Sequence, residues 1–454
     1  MKSINKSTFS TEDLVHELVE NRKCAIVTGA AGTGKSFVIR KLQEVYGETE
    51  LLSCAPTGTA AKNIEGLTVH KLFGIGRFRR VKKPNPYSEE LRRASVLIID
   101  ECSMLSASLF SLVNKILIHE RHNDAPFGGM KVILFGDMRQ LKPVPEVRLR
   151  DDMAPDISFY NMELFRNRGV VSSLFNFYEL KTNHRQEKDE AFQKILTCLR
   201  NGDITDEVVA KLNESYSKEL SFDEQYRYLT STNKMAAYIN SVMLRNVEGE
   251  VFSCKRQIYY KQSKEENEEK YGTYQNLIEE ENIPKIVQIK KGATILFYKN
   301  DTSSNLRWTN GQRGKVIELV FDGLGNITAV IVALEREGKI NEKDIVQVKQ
   351  EVFPFYGFSE IGEYFELGKI RQWPFTLGFS HTIDKAQGMT LGKIAVVFSG
   401  GRARPNLVYV AASRVRKGED FRLEGCSITR DDIITNSEYE KFISDNNLYV
   451  RNVY

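Results

Sequence analysis

The chain has 454 residues, 41% of them hydrophobic, with Lys+Arg 64 against Asp+Glu 60. Such a length and apolar share suit a large core and about three domains, and the near-balance of charge neither requires nor excludes a nucleic-acid partner. The six cysteines include no CxxC pair, and no apolar run approaches the roughly 18–20 residues of a bilayer span. A disulfide framework, a zinc site and a membrane anchor are therefore not expected, and a reducing, cytoplasmic setting is.

The first half alternates β-branched runs with helix-like stretches. Cys24–Thr28, Ser95–Ile99 and Lys131–Phe135 read as buried strands, and Phe37–Val45 carries apolar residues at helical spacing. Strand, crossover, strand predicts an α/β fold with a parallel sheet covered by helices, its ligands beyond the carboxyl ends of the strands.

The first strand runs into Gly29, Ala30, Ala31, Gly32, Thr33, Gly34, Lys35 and Ser36, the pattern G-x-x-x-x-G-K-[ST] between a strand and a helix. Backbone N–H groups of such a loop turn inward around a phosphate, helped by the helix N-terminus. Lys35 is placed to reach the outer phosphates of ATP and Ser36 to bind Mg²⁺. The second strand ends on Asp100-Glu101, which predicts a metal carboxylate at Asp100 and a base for the attacking water at Glu101. The third ends on Gly136-Asp137, with Gln140 placed to report the γ-phosphate.

Further on, Tyr228–Ser231, Phe375–Phe379, Lys393–Phe398 and Leu407–Val410 read as strands of a second α/β domain. Between about 245 and 365 the pattern changes to short β runs, such as Ala293–Phe297, Lys315–Val320 and Ala329–Ala333, with turn signals at Asn310-Gly311 and Asp322–Gly325. This predicts an inserted all-β domain, a small barrel. Its Lys/Glu-rich stretch Ser263–Glu281 reads as a solvated loop. The densest basic cluster, Arg77–Pro84, offers Phe78 for stacking on a base or is a solvated basic loop. Lys299, Asn300, Trp308, Asn310 and Gly311 of the insertion either face DNA or, for Trp308, fill the core.

These segments together resemble the Pif (petite integration frequency) helicases of superfamily one. Gly29–Ser36, Asp100–Met104 and Gly136–Pro143 look like motifs I, II and III, and Pro126-Phe-Gly-Gly129 looks like the family signature. Ala55–Ala60, Thr68–Phe73, His184–Gln186, Ser380–Gly388 and Val408–Arg414 look like the remaining motifs, in order along nearly the whole chain. The resemblance implies two RecA-like domains with ATP between them, at 1–175 and at 176–244 plus 366–454. It further implies an insertion at 245–365 of the Src-homology-3 type and a short wedge hairpin at about 76–94. It implies a 5′→3′ DNA helicase and ATPase, with Arg185 and Arg414 as fingers on the γ-phosphate and Gln387 and Gly388 at the nucleotide. DNA contacts fall on Pro56, Thr57, Thr59, His70, Phe78, His381, Thr382 and Lys385, although His70 and His381 also suit plain core positions. The expected partners are single-stranded DNA and tailed or forked duplexes, without membrane and without a second copy of the chain. The compact length suits a bacterial or viral source. A RecD-type helicase subunit of a recombination nuclease and a DNA-binding ATPase switch are the alternatives. The family's adenine-reading Gln has no counterpart in Ser7–Asp13, so base selectivity stays open.

Overall fold

A computed structural model describes residues 9–76, 85–143, 158–161, 165, 168–261, 278–279, 283–301, 303, 306–336, 339–358, 364–398 and 404–454. The predicted strands form where apolar runs are long enough to be covered on both faces. Cys24–Gly29 and Val96–Ile99 are buried at every position, and Lys131–Gly136 at all but its first. They sit in a seven-stranded parallel sheet. Its order is Val450–Val453, Phe175–Leu180, Cys24–Gly29, Lys131–Gly136, Val96–Ile99, Leu51–Ala55, Leu67–Thr68. Because neighbours run parallel, Gly29, Asp100 and Asp137 emerge at one edge of the sheet, which is what places a site there.

A second parallel sheet has the order Ser380–Thr382, Arg227–Thr230, Ile394–Val397, Phe421–Leu423. The molecule thus has two RecA-like α/β lobes with a β insertion. The insertion is antiparallel throughout. Five strands order as Lys339–Val348, Ile327–Arg336, Arg313–Phe321, Thr294–Phe297 and Phe375–Leu377. Glu351–Phe358, Tyr364–Gln372 and Gln257–Tyr260 make a three-stranded sheet, and Ile286–Ile289 pairs with Phe252–Lys255. In place of one expected barrel there are three sheets: the five-stranded and two-stranded ones pack around Trp308, Trp373, Phe297 and Phe375, and the three-stranded one around Phe353, Phe355, Leu367 and Ile370. Trp308 is core: it is 1% exposed and stacks on Phe297 with ring centroids 4.9 Å apart. Truncating such a residue costs about 3–5 kcal/mol.

Three expectations need correction. Phe175–Leu180 and Val450–Val453 belong to the first sheet, so that lobe runs past residue 175 and takes the end of the chain. Phe375–Leu377 pairs with Thr294–Phe297, so the insertion runs past residue 365. Leu407–Ala412 is a helix with all six residues buried, not a strand; a segment covered on every side shows no period from which to tell the two apart. Of the expected wedge, Arg77–Pro84 with Phe78 lies outside the described residues, and Ser88–Arg93 is helical. Most of Ser263–Glu281 also lies outside them.

The Pro126–Gly129 segment is a tight turn with Phe127 fully buried against Phe110 and Phe175. Gly128 has φ +62°, and a Cβ there would meet the Leu117 carbonyl at 2.5 Å. Arg121 fastens the turn by donating to the carbonyls of Gly128, Leu91, Arg92 and Ala94. Among the described residues no helix is long and apolar enough to cross a membrane.

Candidate nucleotide site and nucleic-acid groove

The loop Gly29–Ser36 leaves the first sheet and enters the helix Lys35–Glu50, whose N-cap Gly34 offers no side-chain acceptor. The helix's first N–H groups are therefore directed at whatever occupies the loop. Gly32 has φ +85°, and a Cβ there would lie 2.3 Å from the Arg185 Cβ. Glycine at this position thus serves the approach of the second lobe as well as the turn. The Lys35 ammonium donates to the carbonyls of Gly29 (2.7 Å) and Ala30 (2.8 Å). Burial pulls its pKa down, and the charges of Asp137, Glu101 and Asp100 pull it back up.

Asp100 and Glu101 follow directly on the strand Val96–Ile99 and are 6% and 9% exposed. Burial and the neighbouring Glu101 push the Asp100 carboxyl well above the usual carboxylate range. Glu101 has φ +49°, a conformation costing a bulky residue on the order of 1–3 kcal/mol and typical of functional sites. It turns the carboxylate toward the other lobe, where Gln387 Nε2 lies 3.5 Å from Glu101 Oε2. A hydroxyl at Ser36 and a single carboxylate at Asp100 are hard oxygen donors. They suit Mg²⁺ completed by phosphate and water, and among the described residues no denser His/Cys/Asp/Glu cluster exists. Two buried amide oxygens, Gln140 Oε1 and Gln387 Oε1, find no hydrogen-bond partner among the described residues. Groups left so are expected where a ligand completes the network.

The second lobe supplies the arginines. Arg185 donates to the Ser413 carbonyl (3.1 Å). Arg414 is 1% exposed and donates to the carbonyls of Val410 (2.8 Å) and Met389 (3.2 Å) and to the Ser413 hydroxyl (2.6 Å). Each of these hydrogen bonds goes to a neutral oxygen. Burial, then the charge of Arg414, brings Arg185 down to about 10, and burial lowers Arg414 too.

One cavity of about 670 Å³ is lined by residues of both lobes. It joins Ala31, Gly32, Gly34, Lys35, Ser36, Asp100, Glu101 and Gln140 to Arg185, Gly388 and Arg414. Gly29, Ala30, Thr33 and Gln387 stand behind this lining: the Thr33 hydroxyl donates to the Ala30 carbonyl at 2.9 Å, and Gln387 is 2% exposed.

Sequence reasoning missed one contact that ties the lobes together. Asp137 is fully buried, and its carboxylate accepts from the Tyr409 hydroxyl (2.7 Å), Arg200 Nε (3.1 Å) and Gln140 Nε2 (3.4 Å). The Ala31 N–H in turn donates to the Tyr409 oxygen at 3.3 Å. Burial alone would raise the Asp137 pKa, but Arg200 and Lys35 outweigh it and hold the carboxyl below its usual range. Tyr409 thus bridges the phosphate loop and the Gln140 strand-end from a helix that reads as a strand.

A groove of about 900 Å³ is lined by Thr57 and Thr59 of the first lobe, Lys299, Asn310 and Tyr298 of the insertion, and His381 and Lys385 of the second lobe. Pro56, His70 and Thr382 do not line it; His70 is exposed on the short helix Val69–Leu72, and Thr382 is buried. Three bonds tie the helix Gly58–Asn63 to the other parts. They are Thr59 Oγ1 to the Asn310 carbonyl (3.5 Å), Lys62 Nζ to Thr309 (3.0 Å) and Asn63 Nδ2 to the Gly388 carbonyl (3.2 Å). His381 is 4% exposed, and burial holds its imidazole down to about 3, so it is neutral near pH 7.

The PIF1-like helicase model matches residues 5–210. The ATP-dependent DNA helicase Pif1 of Bdellovibrio bacteriovorus is 28% identical over 422 residues, covering 90% of this chain and 86% of that one. Over its first 210 residues the chain is similar to the PIF1-like helicases. Two solved Pif1 structures from Bacteroides each match over 96% of both chains with TM-score 0.74. One, 26% identical, is bound to single-stranded DNA; the other, 27% identical, holds ADP-AlF3 and single-stranded DNA. The phosphate loop, Asp100-Glu101 and the Pro126–Gly129 turn lie within the matched residues, while Arg414 and the groove residues of the insertion lie beyond them.

Proposed function

We propose that this chain is an ATP-dependent DNA helicase that moves 5′→3′ along single-stranded DNA and unwinds tailed or forked duplexes. One observation carries the reading: Lys35, Asp100, Glu101 and Gln140 of one lobe and Arg185 and Arg414 of the other line a single cleft. ATP in that cleft would lay its phosphates along the amides of Ala30–Ser36, with Lys35 at the outer phosphates. Ser36 and Asp100 would hold Mg²⁺, which supplies charge neutralisation of the phosphates when bound. Glu101 would take a proton from the water attacking the γ-phosphorus, whose bond to the bridging oxygen breaks to give ADP and orthophosphate. Arg185 and Arg414 would stabilise the charge developing on the transferred group, and Gln140 would sense it.

The fingers engage only when the lobes are together. Loss of the γ-phosphate removes the charge that holds them, and the lobes part. The groove contains side chains from both lobes, so each cycle moves one set of backbone contacts relative to the other. The nucleotide-and-DNA complex of the Bacteroides relative supports this arrangement. The family match favours this reading over the RecD-type alternative. We further assign the insertion to the Src-homology-3 type, the acting species to a monomer and its setting to the cytoplasm. Strand displacement with ATP on 5′-tailed, 3′-tailed and blunt duplexes tests the proposal. Displacement should need the 5′ tail; displacement from 3′ tails reverses the polarity, and DNA-stimulated hydrolysis without displacement leaves an ATPase switch.

A further inference from the structure

Beside the nucleotide cleft lies a second cavity of about 500 Å³. The two share Ser36, Arg40, Asn63, Arg185, Gly388 and Thr390, so the second begins where the γ-phosphate end of the first would be. Its walls bring together six basic side chains, Arg40, Lys62, Arg185, Arg227, Arg313 and Arg336. They come from both lobes and from the insertion. The lining holds one carboxylate, Glu335, which is shared between Arg227 and Arg313 Nη1, the latter at 3.0 Å. Arg336 pairs with Asp344, which is not part of the lining.

The cluster is short of negative charge. Arg313 is 11% exposed at its side chain, and its Nε finds no hydrogen-bond partner among the described residues. Burial, then the neighbouring Arg227, brings Arg313 down to about 9. Burial, then Arg336, lowers Lys62. Clustered guanidiniums facing a partly closed space focus positive potential into it, and their forked donors match tetrahedral oxyanions.

We infer that this cavity is a phosphate-anion site that receives the orthophosphate leaving the nucleotide cleft while ADP is still bound. The inference rests on the reading of that cleft as the place of hydrolysis. A γ-phosphate released between Ser36 and Arg185 needs no further opening of the lobes to enter it, and its negative charge answers the excess of guanidiniums. The cavity also shares Thr59, Asn310, Gly311 and Met389 with the groove, so a backbone phosphate of bound DNA is the other source of the same chemistry.

The test is titration of inorganic phosphate into the full chain saturated with ADP, followed by ³¹P resonance and calorimetry. Wild type and Lys35→Ala should bind phosphate alike, and Arg313→Gln should bind it at least about tenfold more weakly. Arg336→Gln, on a half-exposed side chain whose loss leaves the core intact, should weaken it in the same direction. A short single-stranded oligonucleotide should leave phosphate bound. Three outcomes overturn the inference. One is a wild type that binds no phosphate. Another is binding lost in Lys35→Ala but kept in both arginine variants, which puts the anion in the phosphate loop. The third is displacement by the oligonucleotide, with the salt slope of DNA binding shallower by about 0.7 in Arg336→Gln, which assigns the cavity to the strand. Failure of hydrolysis itself appears separately, as Lys35→Ala retaining DNA-stimulated turnover.

Discussion

The nucleotide cleft and the groove draw on the same two lobes but differ in chemistry. The cleft concentrates charge of both signs: Asp100, Glu101 and Arg414 are deeply enclosed, and Lys35 is half-buried beside them. The groove is lined by threonines, asparagines, a tyrosine and a neutral histidine, with Lys285, Lys299 and Lys385 as its cations and Glu279 and Asp384, each ion-paired, as its carboxylates. Hydrolysis needs particular groups at fixed separations around one phosphorus atom, where a low dielectric makes each worth much. Holding a strand without reading sequence needs only donors that can face phosphates and surfaces on which bases stack. Single substitutions should therefore act steeply in the cleft and shallowly in the groove.

The largest effect is expected at Arg414. Arg414→Gln should lower DNA-stimulated kcat by about 10³–10⁵, the worth of an arginine finger, while changing the KM for ATP little. A rise in KM with kcat intact would make Arg414 a binding residue only. Melting curves of the variant separate this from misfolding, because the side chain is buried. Glu101→Gln should come next, with turnover reduced by about 10²–10⁴ and retained affinity for both ATP and DNA. Equal loss of nucleotide affinity would contradict its role as the base.

The groove should respond differently. Lys385→Ala or Lys299→Ala should weaken single-strand binding and make its log–log salt slope shallower by about 0.7 for each phosphate contact removed. Turnover at saturating DNA should stay near wild type. If instead turnover falls as steeply as for Glu101→Gln, the separation between cleft and groove is not real.

The same contrast decides what was legible beforehand. Cys24–Gly29, Val96–Ile99 and Lys131–Gly136 could be read because runs buried on both faces hold consecutive apolar residues such as Ala25-Ile-Val27 and Val132-Ile-Leu-Phe135, and each ends on a chemically distinctive residue. Arg185 and Arg414 could be read only through the resemblance, since nothing in an isolated arginine tells a finger from a surface charge. Tyr409 was missed because its helix is buried on all sides and reads as a strand. Its bond to Asp137 spans 272 residues of sequence, which no local pattern encodes. Asn233 and Thr376 of the groove carry no motif at all. The edges of the lobes were misplaced because Phe375–Leu377 completes a sheet begun at Thr294, and Val450–Val453 one begun at Cys24; strand partners so distant leave no mark in composition.

The smallest effect sharpens the comparison from inside the groove. His381 reads as a phosphate contact, yet burial and then the Arg227 charge hold its imidazole down to about 3. In the unfolded chain the ring titrates at about 6.5. Between those values the unfolded state binds the extra proton, so falling pH favours unfolding there. The stability owed to a neutral His381 is complete above about pH 6.5 and is lost progressively toward pH 3. Melting temperatures of wild type should therefore drop more between about pH 7 and about pH 5 than those of His381→Gln, which has no proton to gain. DNA affinity should show no step from this residue over the same interval, because the folded side chain stays uncharged. Parallel melting slopes, or a binding step near pH 6.5 that vanishes in His381→Gln, would mean that the histidine is a solvated cation on the strand and that the groove uses charge as the cleft does.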